Sequence, residues 1–169
     1  MKYYRGFTLI ELMVVLIVIG LFTGLVSINM GQNDNRMIER EAKRLYQVLQ
    51  LAQDEAIMQG IELGFSVSDT GYSFSRLQEL TWLPLTSDKQ LSEHDFGLNI
   101  DMTLLIENEA VIAQVDTQQK MSPMVMLLSS GEITAFEIAI SAEDDNESRF
   151  KINAQENGAM TFYDRYKVQ

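Results

Sequence analysis

The sequence contains no cysteine, one histidine and one tryptophan. The missing thiols exclude disulfide scaffolds, thiolate zinc sites, iron–sulfur clusters and cysteine nucleophiles together. A single histidine, His94, is too few for a His-rich metal site and argues against a histidine-dependent catalytic triad. Cationic side chains are scarce too: 13 Lys and Arg stand against 24 Asp and Glu, a net charge of −11. Binding nucleic acid by phosphate neutralisation requires the opposite balance. The chain also lacks a Gly-rich phosphate loop and a nucleophile elbow. The expectation is a non-enzymatic protein with no cofactor and no nucleic-acid partner.

What is present is an ordinary globular balance. Hydrophobic residues make up 46% and charged residues 22% of 169 residues, which suffices for a core and excludes wholesale disorder. A mean hydropathy of −0.04 conceals a sharp asymmetry. Lys2 and Arg5 lie in a short basic start, and residues 7–28 then carry one charged side chain, Glu11. As a helix this run of 22 residues rises about 33 Å, enough for a hydrocarbon core of about 30 Å. The basic residues before it keep the N-terminus cytoplasmic and put the rest outside the cytoplasm. A secretory signal peptide fits poorly. Its apolar core is typically about 7–15 residues, and only Ser27-Ile28-Asn29 offers a weak cleavage site. A carboxylate inside an apolar span costs on the order of 3 kcal/mol and marks function.

Arg5-Gly6-Phe7-Thr8-Leu9-Ile10-Glu11-Leu12 resembles the class III signal of type IV pilins and type II secretion pseudopilins. The resemblance implies cleavage between Gly6 and Phe7 by a prepilin peptidase and N-methylation of Phe7. Glu11 lies one helical turn beyond the new amine. Its carboxylate can neutralise that amine in its own chain or in a neighbour, and this would set the axial register of a helical stack. Gly20 and Gly24 form a small-xxx-small pair that permits close helix approach.

Beyond Asn33 the helical pattern continues in polar form. Ile38, Ala42, Leu45, Leu49, Ala52 and Ala56 recur at steps of three and four, widened by Tyr46, Val48 and Ile57, and Gly60 is a natural stop. The spacing predicts one helix from about Phe7 to Gln59, or two parted at Met30-Gly31-Gln32. The expected divisions are a removed leader at 1–6, a transmembrane helix at 7–28, an amphipathic continuation at 29–59 and a periplasmic β-rich head at 60–169. The remainder reads as about nine short strands with turns every 8–15 residues: 61–68, 71–77, 81–85, 96–106, 110–116, 124–128, 133–140, 150–154 and 160–166. Residues 68–71 and 129–132 read as hairpin turns, and Asn157-Gly158 as a tight turn. The expected fold class is α+β, with a long helix packed on two antiparallel sheets.

The phrase Asp54-Glu55-Ala56-Ile57-Met58-Gln59-Gly60, the Gly131–Phe136 stretch and the Asn157-Gly158 turn resemble minor pseudopilins of the GspH/FimT group. Proline often stands in such relatives where this chain has Ala135. The resemblance implies an inner-membrane, single-pass subunit assembled into a periplasmic pseudopilus near its tip. Its partners would be the major pseudopilin, other minor pseudopilins, the prepilin peptidase, the inner-membrane assembly platform and secreted substrate proteins. A minor pilin of a type IV pilus is the alternative, and a membrane-anchored periplasmic binding protein is a third. Loss of Lys2 and Arg5 with the leader would take the side-chain charge from −11 to −13, which disfavours close stacking of identical heads. His94 is expected on a solvated loop, Trp82 in the core, and the methionines as core filler. The acidic run Glu143–Glu147 reads as a solvated turn; it lacks the spacing and glycine of a calcium loop.

Overall fold

A computed structural model describes residues 9–68, 70–86, 88–97, 100–107, 109–111, 122–142 and 148–165, with the side chains of residues 22–35 outside the described set. The chain falls into two compact units, residues 1–36 and 37–169. Helix α1 spans Leu9–Gln59 without interruption, so Met30-Gly31-Gln32 does not part it. Within the first unit its described apolar side chains, from Leu9 to Leu21, are all exposed. Among the described residues no helix is long and apolar enough to cross a membrane. The expected span at 7–28 is thus described only in part.

In the second unit, Ile38, Ala42, Leu45, Leu49, Ala52 and Ala56 are all buried, so the predicted stripe is the helix's core face. The helix ends as Gly60 suggested. Gly60 takes φ +65°, and Ile61 N–H donates to the Ala56 carbonyl at 3.1 Å, the six-to-one bond of a Schellman cap.

Ten strands follow among the described residues: β1 Leu63–Ser68, β2 Gly71–Gln78, β3 Thr81–Pro84, β4 His94–Asp95, β5 Ile100–Ile106, β6 Glu109–Val111, β7 Val125–Leu127, β8 Phe136–Ala142, β9 Phe150–Ala154 and β10 Met160–Asp164. All pair antiparallel. One sheet runs β3-β2-β1-β7, with β4 beside β2; the other runs β10-β9-β8-β5-β6. The fold is α+β, as expected. Phe65 on β1 and Phe136 on β8, with ring centroids 6.5 Å apart, join the two sheets across the core.

Three expectations need correction here. Residues 129–132 do not close a hairpin within one sheet. β7 and β8 lie in different sheets, linked at the turn by the single bridge Leu127↔Ile133. Leu128 N–H donates to Glu132 O at 2.9 Å and Thr134 N–H to Met126 O at 3.0 Å, after which the chain crosses over. Met126 is 45% exposed, because the pleat turns Val125 and Leu127 inward instead. Trp82 is only half-buried, since β3 is an edge strand. The tight turn expected at Asn157-Gly158 is present between β9 and β10. Gly158 N–H closes onto Gln155 O at 2.9 Å, with Gly158 at φ +84°.

Candidate functional site

The resemblance described above implies processing at Gly6 and Phe7 and a role in assembly for Glu11. Gly6 and Phe7 lie outside the described residues. Glu11 stands in the first turn of α1 among the exposed apolar side chains Leu9, Ile10, Leu12 and Met13. The spacing from Phe7 is one turn, the separation that brings i and i+4 side groups to one face. A carboxylate there can meet a cation arriving from the same chain or from an adjacent helix. It also benefits from the positive end of the helix dipole, worth about 0.3–1 kcal/mol at an exposed position.

The head offers polar geometry that the sequence did not reveal. His94 is not on a solvated loop. Its Nε2 lies 2.7 Å from Glu41 Oε2 on α1, and its ring packs on Tyr72 and Phe96 at centroid distances of 5.3 and 5.9 Å. A carboxylate accepts, so the imidazole nitrogen donates. The correction has a topological cause. β4 pairs with Gly71 and Tyr72 at the start of β2, which draws the 88–97 loop against the helix. At the head of that loop the Asp88 carboxylate accepts from the N–H groups of Leu91 and Gln90, which holds its pKa below the usual value. Burial pushes the Tyr72 hydroxyl up, with the nearby Arg44 guanidinium opposing and Glu41 adding to the rise.

Polar side chains also tie the turns of the second unit to the helix. Gln53 donates to the carbonyls of both Gly131 and Gly158. Glu62, just past the helix, accepts from Ser129 N–H at 3.0 Å and Ser129 Oγ at 2.8 Å. Tyr46 reaches the Met160 carbonyl at 3.3 Å and packs on Phe162. No group of three His, Asp or Glu side chains among the described residues is close enough to hold a metal ion. The acidic run 143–147 lies outside them.

Two exposed apolar features stand out. The β2–β3 turn holds Glu79 and Leu80 at φ +48° and +65°, and Leu80 is 89% exposed at its tip. The other is an apolar groove at the seam of the sheets, lined also by glutamates. Neither carries a motif. Only the strand pairing assembles them, so sequence reasoning had no signal for either.

Residues 1–27 match the prokaryotic N-terminal methylation motif, and residues 41–158 match the family of the type II transport protein GspH. Type II secretion system protein H of Pseudomonas aeruginosa is 30% identical over 158 residues, covering 88% of this chain and 89% of that one. The protein of the same name from Aeromonas hydrophila is 27% identical over 168 residues, covering 92% and 91%. The minor pseudopilin EpsH from the type 2 secretion system of Vibrio cholerae shares the fold at a TM-score of 0.66 and 22% identity, covering 79% of this chain and 99% of that one. The solution structure of Escherichia coli GspH matches at a TM-score of 0.59 and 19% identity, over 83% and 95%.

Proposed function

Because the chain belongs to the family of the type II transport protein GspH, we propose that it is a minor pseudopilin of a type II secretion system. It is a structural subunit of the short periplasmic fibre that helps folded proteins cross the outer membrane. Residues 1–6 are its leader, and residues 7–28 anchor it in the inner membrane with the head in the periplasm. Its partners are the major pseudopilin, the other minor pseudopilins, the peptidase and the inner-membrane assembly platform.

The observation that carries this reading is Glu11: one carboxylate in the first turn of an otherwise apolar, exposed helix segment, inside a methylation motif. A simple anchor has no use for it. Its retention costs on the order of 3 kcal/mol on insertion scales, which pairing with a neighbour's Phe7 amine offsets. Glu11→Leu therefore leaves insertion and folding intact and impairs recruitment into the fibre.

The test is a deletion strain complemented with the wild-type chain or Glu11→Leu. Export of a periplasmic cargo and cross-linking to the other pseudopilins should be lost in the deletion, restored by the wild type and reduced by the variant. Normal export in the deletion strain together with lost surface pili would instead assign the chain to a type IV pilus.

A further inference from the structure

The groove at the sheet seam has a defined composition. Its volume is about 390 Å³, and its lining includes the apolar side chains Met126, Leu128 and Ile133. Glu107, Glu132 and Glu156 also line it, and no Lys, Arg or His does so among the described residues. The three glutamates come from three places in the sequence: the β5–β6 turn, the β7–β8 crossing and the β9–β10 turn. Glu107 sits at φ +54°, a left-handed position that favours glycine or asparagine. Ile106 pairs opposite Glu109, so this φ is the one a two-residue hairpin turn requires, and the turn holds the carboxylate at the groove.

The chemistry narrows the occupant. The described residues include no three acidic groups close enough to chelate a metal ion, so a compact cation does not suit the spacing. Strand addition along β7 does not suit it either. Thr134 already occupies that edge, donating N–H to Met126 O at 3.0 Å and accepting from Met126 N–H through Oγ1 at 3.1 Å. What remains is recognition by side chains: an apolar group against the apolar lining and a long cationic side chain beside the glutamates. The size is near the low end of ligand sites, about 300–1,000 Å³, which is room for a few side chains and not a folded element. A second copy of this chain is disfavoured by its own charge of −11.

We infer that this groove takes a lysine- or arginine-bearing loop from the head of a different pseudopilin. The inference rests on the functional reading above and adds the surface and the chemistry of the contact. Complementary charge of this kind selects the partner and speeds encounter.

The test places the photo-cross-linker p-benzoylphenylalanine at Met126 in the full chain, expressed in cells with the complete secretion system. Irradiation should yield an adduct to another pseudopilin, joined at a peptide containing Lys or Arg. Combining Glu107→Gln, Glu132→Gln and Glu156→Gln should lower the adduct about tenfold. Combining Asp54→Asn, Glu93→Gln and Asp101→Asn, an equal charge change elsewhere, should leave it unchanged. Circular dichroism melts of both triple variants check that each is folded. An adduct to a second copy of this chain, no adduct while the chain still copurifies with pseudopilins, or equal adducts from both triple variants would overturn the inference alone. A chain that copurifies with no pseudopilin would overturn the functional reading, and the inference with it.

Discussion

The side-chain amide of Gln53 donates to the carbonyl oxygen of Gly158 at 3.0 Å, joining the helix to a turn 105 residues later. The same nitrogen reaches Gly131 O at 3.1 Å. A Cβ at Gly158 would collide with that amide and with the Gly131 carbonyl, and φ +84° is itself unfavourable for other residues. Leaving a part-buried acceptor unpaired costs about 1–3 kcal/mol. Gln53→Leu should thus lower the melting temperature of the head by roughly 5–10 °C. Gln50→Ala, on the exposed side of the helix, should move it by no more than about 2 °C. Equal shifts would show that the two turns hold themselves.

Leu49 is fully buried, whereas Lys43 is exposed and pairs with Glu39 at 2.7 Å. Truncating a buried leucine costs about 2–5 kcal/mol. A carboxylate in its place adds desolvation, so Leu49→Asp should unfold a soluble form that starts near Asn33. Lys43→Asp loses an ion pair worth about 0.3–0.5 kcal/mol. Its melting curve should stay near that of the parent. Matching curves for the two variants would contradict the assignment of the core face.

Tyr72 is buried, and its hydroxyl lacks a hydrogen bond of ordinary geometry. Replacing such a group with an apolar one of the same shape is close to neutral, so Tyr72→Phe should keep its stability at pH 7. The alkaline limb should differ. Tyr72 ionises later in the folded than in the unfolded chain, mainly because of burial. The unfolded state therefore binds fewer protons above pH 10, and stability falls as pH rises through that range. Tyr72→Phe should flatten that fall, as read from urea midpoints at pH 9–11, and should remove a late-titrating tyrosine from the ultraviolet spectrum. An unchanged slope would mean that Tyr72 is open to water.

Processing is checked by intact mass. Membrane-extracted protein should lack Met1–Gly6 and carry one added methyl on Phe7. Gly6→Leu should block the cut, because the peptidase must admit a backbone without a side chain just before the scissile bond. A chain cut after Ser27 would refute the assigned junction.

The legible parts of this fold are those set by local chemistry. The helical stripe from Ile38 to Ala56 follows from spacing alone, and the Gly60 cap and the β1–β2 pair were readable from neighbours in sequence. The illegible parts depend on distant partners. His94 and Glu41 are 53 positions apart, and the immediate neighbours of His94, Glu93 and Asp95, are charged and read as a solvated turn. Residues 129–132 carry the turn signal of a hairpin whether the next strand stays in the sheet or leaves it. The left-handed pair Glu79-Leu80 contains no glycine to announce it. The groove draws on three separate turns, so no window of sequence contains it. The chemistry proposed for Gly6, Phe7 and Glu11 involves only a few adjacent residues, so proposing it needed no distant partner.

The bonds from Tyr46 to Met160 and from Gln53 to Gly158 set an order of events during synthesis. The helix emerges first, and these side chains must wait 114 and 105 residues for their partners. At about 5–20 residues per second that delay is roughly 5–20 s. Throughout it the helix of a nascent chain lacks the part of its cover that β10 supplies. A stop codon before β10 would leave the stripe without part of its cover for good, so truncated products should be cleared by proteases instead of accumulating as shortened subunits.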